Sequence, residues 1–214
     1  ISGQKLDDFF KENIFKPLNM IDTDFYVPED KHHRFVDCYQ ELVSKTGNKL
    51  KRCYKSGEDI FSKKRNFLSG GGGLCSTLAD YANFCQMILN EGYFDGKQLL
   101  SPMTVRFMRE NHLPNNQTMS EMGDDNFSEV RYDGAGFGLG FSSLIDPVKS
   151  MSPLSTGSIS WGGMASTFFW IDPKQNLFSI LLTQLIPSGR YPIRPQAQTL
   201  VYSALSELNK NTRL

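Results

Sequence analysis

The sequence has no net charge and no long hydrophobic run. Its 23 basic residues balance 23 acidic ones, so nothing in its charge favours nucleic acid or an anionic membrane surface. The longest apolar clusters, such as Ile180-Leu181-Leu182, are far shorter than the roughly 20 residues that a membrane-spanning helix requires. The first residues, Ile1-Ser2-Gly3, lack the basic and apolar regions of a signal peptide. We therefore expect no membrane span and no nucleic-acid partner.

Cysteine and histidine are scarce, and their spacing does not suit a metal site. Cys38, Cys53, Cys75 and Cys85 show no C-x-x-C pattern and have no nearby pair of histidines, which structural zinc sites require. The expected state is four free thiols, which weakly favours a reducing compartment such as the cytoplasm. The sequence therefore predicts no metal, and it leaves the localisation otherwise open.

Two familiar ligand motifs are also missing. The glycine run at 70–73 is not followed by the Lys-Ser/Thr of a P-loop, and the glycines at 134–140 do not have G-x-G-x-x-G spacing, so we expect no nucleotide and no other cofactor. No G-x-S-x-G nucleophile elbow occurs, which argues against an α/β-hydrolase.

The first part of the chain contains three predicted helices around a polar segment. Apolar residues at helical spacing predict a helix from Lys5 to Lys16. The T-x-x-D pattern beginning at Thr77 predicts a helix to about Asn90, and Ser101-Pro102 predicts a further one to about Asn111. The segment 22–67 is polar and irregular, with short strands expected near residues 35–42 and 50–54.

The second part has the pattern of antiparallel strands followed by a helix. Gly136 to Phe141 alternates glycine with large apolar residues, which predicts a strand with one bare face. Further strands are expected at about 157–162, 166–171 and 177–185. An apolar stripe predicts a closing helix that packs on this sheet; it comprises Ala197, Leu200, Val201, Ala204, Leu205 and Leu208.

Together these patterns predict an α+β fold. We expect residues 1–214 to form a single domain, with residues 1–133 mainly helical or irregular and residues 134–214 forming antiparallel strands plus the closing helix.

The most informative segment is Trp161-Gly162-Gly163-Met164. Two adjacent glycines interrupt a region that otherwise has the composition of β-strands, and glycine inside a strand marks a bulge or a close approach to the backbone. We interpret this strand as one that presents bare backbone to a ligand.

Several segments, taken in chain order, carry a resemblance to a known family. They are IFKPLNM at 14–20, GGGGLCST at 70–77 with Asp80-Tyr81, LLSPMTV at 99–105, GFGLGF at 136–141 and the tail from Thr183 to Arg194. This order resembles the serine β-lactamase and penicillin-binding protein family, in its carboxylesterase branch (family VIII) with a Trp-Gly-Gly third motif. The resemblance covers nearly the whole chain and implies part of a β-lactamase/DD-peptidase-like fold.

The resemblance also implies a serine hydrolase whose catalytic groups lie elsewhere. In its register the S-x-x-K and Y-x-N motifs fall upstream of Ile1, so the chain resembles the C-terminal portion, without the acylating Ser, its Lys or the Tyr, and is expected to be inactive alone. Literal copies occur at Ser2-x-x-Lys5, Lys45-Thr46-Gly47 and Tyr81-x-Asn83. They stand in the wrong order and in unsuitable settings, so no catalytic residue is assigned in this chain.

The same register assigns roles around the paired glycines. It places Trp161, Gly162 and Gly163 on the family's K-T-G, which makes them substrate-binding residues, and it places the Met164 N–H as an oxyanion-hole donor. A Trp in place of Lys removes a cation that suits a β-lactam carboxylate and supplies a flat apolar wall. We therefore expect a small-molecule ester or β-lactam-like substrate, with the ester favoured.

Two further expectations follow from the missing nucleophile. The alternative function is a non-catalytic binding or interaction protein with a β-lactamase fold. A sheet edge left uncovered would also promote self-association.

Overall fold

The computed structural model describes residues 2–42, 47, 49–54, 61–122 and 132–207. The helices are α1 (Leu6–Phe10), α2 (Leu78–Leu89), α3 (Pro102–Arg109), α4 (Met119–Met122) and α5 (Ile193–Ser203). The strands are β1 (Cys38–Leu42), β2 (Lys49–Tyr54), β3 (Tyr93–Phe94), β4 (Lys97–Gln98), β5 (Ala135–Phe137), β6 (Ser142–Leu144), β7 (Ile159–Gly162), β8 (Phe168–Asp172), β9 (Leu177–Leu181) and β10 (Leu185–Ile186). The predicted α+β class is confirmed.

The main sheet is a five-stranded antiparallel meander in the order β5-β6-β7-β8-β9, as the sequence predicts for the second half of the chain. In its centre Trp161 lies opposite Phe169 and Gly162 opposite Phe168. A second sheet has the order β10-β1-β2, in which β1 pairs antiparallel with β2 and parallel with β10. The second sheet therefore joins the two halves of the chain.

The two faces of the main sheet are covered by different helices. On one face, Ile159, Phe169 and Ile171 pack into the larger core with Cys85 and Ile88 of α2. On the other face, Trp170 is fully buried in a smaller cluster with Leu144 and Leu154, against which Ala197 and Val201 of α5 pack. Successive residues of a strand face opposite sides of the sheet, so neighbouring residues of β7 and β8 meet different helices.

The helix starts follow their capping residues. Thr77 Oγ1 accepts a hydrogen bond from the Asp80 N–H at 3.3 Å, and Ser101 Oγ accepts one from the Thr104 N–H at 3.1 Å. Both helices therefore begin where the sequence predicts. Helix α1 continues as a π-helical turn through Phe15, so the predicted helix over residues 5–16 is also confirmed.

The glycine-alternating segment does not form the single strand that the sequence predicts. Strand β5 ends at Phe137, and the chain then turns, with Gly138 N–H donating to the Phe141 carbonyl at 2.8 Å. Leu139 N–H donates to the carbonyl of Met108 in α3 at 2.8 Å. A Cβ at Gly138 would lie 2.2 Å from that same Met108 oxygen, so glycine here permits the close approach of two backbones.

The closing helix is shorter than predicted, and its stripe is partly wrong. Helix α5 ends at Ser203, so Ala204 and Leu205 follow it, and Leu208 lies outside the described residues. The Leu200 side chain is 69% exposed, because the helix turns Ala197 and Val201 towards the sheet instead. No helix in the described ranges has the length and apolar composition needed to cross a bilayer.

Candidate active site

The end of strand β7 has one unpaired edge. Strand β8 pairs with β7 along its whole length, from Ile159 to Gly162. On the opposite side β6 pairs only with Ile159 and Ser160. Among the described strands, the edge at Trp161 and Gly162 is therefore open. An open strand edge can form main-chain hydrogen bonds to an extended ligand.

The chain after Gly162 forms a tight turn into β8. Gly163 N–H donates to the Thr167 carbonyl at 3.0 Å, and Ser166 N–H donates to the Gly163 carbonyl at 3.1 Å. Ser166 has a positive φ of 66°, and its buried hydroxyl donates to the Leu185 carbonyl at 2.7 Å. The turn is thus tied to strand β10 as well as to itself.

Met164 lies at the tip of this turn, and its side chain is 57% exposed. In the part of the chain that the structure describes, no oxygen accepts the Met164 N–H. The neighbouring Gly163 N–H is used within the turn. Met164 therefore contributes a backbone donor that remains available to a ligand.

A large cleft lies beside the end of β7. Its volume is about 1690 Å³, and its lining includes residues 161–165 and 70–77. These two segments are far apart in sequence and belong to the family-like motifs described above. The fold brings them to the same cavity, where Gly163 and Met164 are accessible.

The indole of Trp161 combines two roles. Its ring stacks on Tyr132 with centroids 5.7 Å apart and meets Phe137 edge-on at 5.0 Å. The side chain is half-buried and packs against the larger core, yet it also lines the cleft. It is consequently a fixed apolar wall, held by aromatic contacts on the protein side.

The two glycines are required by contacts within the protein. A Cβ at Gly162 would lie 2.6 Å from Nη2 of Arg194, and a Cβ at Gly163 would lie 2.5 Å from Oγ1 of Thr167. The sequence interpretation has both glycines clear space for a ligand, whereas a side chain at either position would meet another side chain of the protein. The assignment of Gly162 and Gly163 to substrate binding stays a prediction. Nothing in the spacing of the closing helix marks Arg194 as the side chain that fills the space at Gly162.

A network of charged side chains lines another part of the same cleft. The Asp22 carboxylate accepts from Lys31 Nζ and from Arg34 Nη2, both at 2.6 Å. These hydrogen bonds to Arg34 and then Lys31 lower the pKa of Asp22 from 3.8 to about 2. The sequence predicts an irregular loop in this region and does not reveal the network, because no local pattern brings these charges together.

The literal family motifs lie in unrelated settings, although Tyr81 is one of the residues that line the cleft. Ser2 and Lys5 are exposed. Tyr81 packs edge-on against Phe169 with centroids 5.1 Å apart, and burial raises its pKa well above the ordinary value. Asn83 Nδ2 donates to the Leu18 carbonyl at 2.9 Å.

In the third literal motif, Lys45 and Thr46 lie outside the described residues. No cluster of three His, Cys, Asp or Glu side chains that could hold a metal ion occurs among the residues described.

Comparison with known proteins identifies the family. The sequence model of the Beta-lactamase family matches residues 1–202, and the chain belongs to this family. An uncharacterized protein of Mycobacterium tuberculosis (strain CDC 1551) is 32% identical over 194 residues, which cover 87% of this chain and 45% of that protein. Lovastatin esterase of Penicillium rubens is 26% identical over 202 residues, which cover 87% of this chain and 47% of the esterase.

Solved structures share the fold. Simvastatin synthase (LovD) from Aspergillus terreus matches with a TM-score of 0.74 at 22% identity, covering 96% of this chain and 52% of the synthase. EstCE1, a hydrolase with promiscuous acyltransferase activity, matches with a TM-score of 0.73 at 22% identity, covering 94% of this chain and 51% of that chain. The chain thus spans about half the length of the relatives it matches, and the β-lactamase-like fold predicted from sequence is confirmed.

Proposed function

We propose that this chain supplies the oxyanion side of the active site in a serine hydrolase that acts on carboxylic esters through an acyl-serine intermediate. The observation that carries the proposal is the Met164 N–H, which has no acceptor among the described residues and belongs to a residue that lines the cleft. A positioned backbone donor of this kind stabilises the negative oxygen of a tetrahedral intermediate, and losing one typically costs about 3 to 4 kcal/mol of transition-state stabilisation.

In this proposal the acyl group lies along the open edge of β7. Gly163 and Met164 both line the cleft, so the carbonyl of the substrate can approach the Met164 N–H from there. The serine oxygen attacks the carbonyl carbon, the carbonyl oxygen becomes the oxyanion that Met164 binds, and the intermediate collapses with loss of the alcohol. The serine and its base are assigned to the part of the protein that this chain does not include.

The character of Trp161 favours an ester over a β-lactam. An indole held by Tyr132 and Phe137 offers flat apolar contact and no cation for a substrate carboxylate. An esterase of Penicillium rubens and a hydrolase with acyltransferase activity are among the similar proteins, which supports ester-type acyl transfer. A β-lactam-like amide is the second substrate class.

Kinetics on the full-length protein test this proposal. With a p-nitrophenyl ester we expect a burst of about one p-nitrophenolate per protein molecule, followed by slower turnover, because acylation and deacylation are separate steps. The 214-residue chain alone, as the matched control, is expected to show no turnover above buffer.

Two outcomes contradict the proposal. A burst from the isolated chain would place the nucleophile within it. Full-length protein that binds an ester analogue without turnover would favour the non-catalytic binding protein instead.

A further inference from the structure

Arg194 is a buried cation that contacts the turn carrying the proposed oxyanion donor. It belongs to the first turn of α5, is only 8% exposed, and points its guanidinium at the turn after β7. Its Nη2 donates to the Gly163 carbonyl at 3.0 Å and to the Thr167 carbonyl at 3.1 Å. The guanidinium carbon also lies 5.4 Å from the centroid of the Phe168 ring, within the range of a cation–π contact.

Stability alone explains this arginine poorly. None of the carboxylates in the described ranges forms an ion pair with Arg194, and its buried Nε has no hydrogen-bond acceptor there. Burying a cation without a counter-charge is unfavourable. A neutral apolar side chain would cover Phe168 without that penalty.

One of the two carbonyls that Arg194 binds, that of Gly163, is directly bonded to the nitrogen of Met164. The Gly163 carbonyl and the Met164 N–H belong to one planar peptide group. A charged donor on the carbonyl oxygen withdraws electron density from that amide and makes its N–H a stronger donor. The same oxygen also accepts from Ser166 N–H at 3.1 Å, so two donors act on this one peptide.

Arg194 also fixes the direction of that peptide. Gly163 and Thr167 form the two ends of the turn, and one nitrogen of Arg194 binds both carbonyls. Gly162 makes this possible, because a Cβ there would lie 2.6 Å from Nη2. The first glycine of the pair therefore admits the arginine, and the second admits the hydroxyl of Thr167.

We propose that Arg194 is a positioning residue of the oxyanion hole, which orients and polarises the Gly163–Met164 peptide through its carbonyl oxygen. This inference rests on the proposed esterase function. It does not place Arg194 in contact with substrate.

Arg194→Met and Arg194→Lys in the full-length protein test the inference. For Arg194→Met we expect kcat on a p-nitrophenyl ester to fall about 10- to 100-fold, less than for deletion of a direct oxyanion donor. KM is expected to change by less than about 2-fold, because the interaction strengthens only as the oxyanion forms. Arg194→Lys keeps the cation and is expected to recover part of kcat.

Two further readouts separate positioning from a merely structural role. The affinity for a boronate that mimics the tetrahedral intermediate is expected to fall by the same factor as kcat/KM. The carbonyl stretch of the acyl-enzyme is expected to move to higher frequency in Arg194→Met, because a weaker oxyanion hole polarises the ester carbonyl less. Arg106→Met is the control, since it removes an arginine that pairs with Glu91 at 2.9 Å on the surface. It should leave kcat, the boronate affinity and the carbonyl frequency unchanged.

The outcomes are distinguishable. Wild-type protein without ester turnover contradicts the proposed function itself. Active wild type with an Arg194→Met variant that keeps kcat, boronate affinity and carbonyl frequency overturns the inference alone. If neither variant folds, or if the apparent kcat falls only in proportion to the lost folded protein, the role is structural and the inference is equally overturned.

Discussion

Thr23 and Asp80 are 57 residues apart in sequence, and the Thr23 hydroxyl donates to the Asp80 carboxylate at 2.7 Å. The same carboxylate oxygen accepts the Asp22 N–H at 2.8 Å. Asp80 is 3% exposed and occupies the first turn of α2, where negative charge suits the helix dipole. The Asp80 carboxylate thus links the Asp22–Thr23 loop to helix α2, which packs against the main sheet.

Replacing Asp80 should therefore destabilise the protein. We expect Asp80→Ala to lower the free energy of unfolding by about 2 to 3 kcal/mol, because the Asp22 N–H loses its acceptor and the buried Thr23 hydroxyl loses its charged one and is left with the Ser76 hydroxyl at 2.8 Å. Chemical denaturation measures the change. Asp30→Ala, at an exposed acidic residue, is the control and should change the value by less than about 0.5 kcal/mol. Equal effects of the two substitutions would contradict this role of Asp80.

Asp22 should make stability depend on acid pH. Its pKa is lowered from 3.8 to about 2 by hydrogen bonds from Arg34 and Lys31. A carboxyl group with a lowered folded-state pKa contributes stability that is complete above the unfolded pKa and is lost as the pH falls through the folded value. Because both cations are partly exposed, the contribution is at most about 1 kcal/mol.

Asp22→Asn tests this assignment. The difference in unfolding free energy between wild type and Asp22→Asn should be constant between about pH 5 and about pH 7, because the carboxyl group is ionised in both the folded and the unfolded state. The difference should shrink as the pH falls below about 4. A difference that does not vary with pH would show that the ion pairs with Lys31 and Arg34 contribute nothing.

Gly136 should not tolerate a side chain. A Cβ there would lie 2.2 Å from Oδ1 of Asn111, which accepts from the Phe137 N–H at 3.0 Å and the Leu113 N–H at 3.1 Å. We expect Gly136→Ala to cost more than about 2 kcal/mol, because displacing Asn111 breaks these bonds. Gly71→Ala is the matched control, since no atom lies within 4 Å of its Cβ position. Equal melting temperatures for the two variants would refute this account.

Trp161 should influence substrate charge preference. Trp161→Lys places a cation at the cleft wall, and a charged contact is worth roughly 1.5 kcal/mol or more. We expect the ratio of kcat/KM for an anionic ester over a neutral ester to rise about 10-fold in the full-length protein. Trp161→Met controls for loss of stacking on Tyr132 and should leave the ratio within about 2-fold. No difference between the two variants would remove Trp161 from the substrate site.

Local signals predict much of this fold, and long-range contacts account for what they miss. Thr77 and Ser101 cap the helices that follow them because capping involves residues within one turn. The T-x-x-D pattern is only half of a cap here, since Asp80 turns its carboxylate to the Asp22–Thr23 loop. That partner is distant in sequence, so no local pattern shows it.

The glycines illustrate the same limit. Sequence predicts that Gly138 and Gly162 have bare faces, but not that Met108 and Arg194 occupy them. Local composition marks where a side chain is absent, whereas the fold decides what fills the space. The division of the chain at residues 133 and 134 and self-association through a sheet edge stay predictions. Self-association can be tested by sedimentation of a variant substituted at Leu50 of β2, which is 62% exposed.

A structure of the full-length protein inhibited with a phosphonate ester tests the central claim most directly. The phosphonate forms a tetrahedral adduct on the nucleophilic serine and places one oxygen at the oxyanion position. We expect that oxygen to lie about 2.7 to 3.1 Å from the Met164 nitrogen, beside Trp161 and Gly163. An adduct whose oxygens all lie away from Met164, or the absence of any adduct in folded protein, would contradict the account.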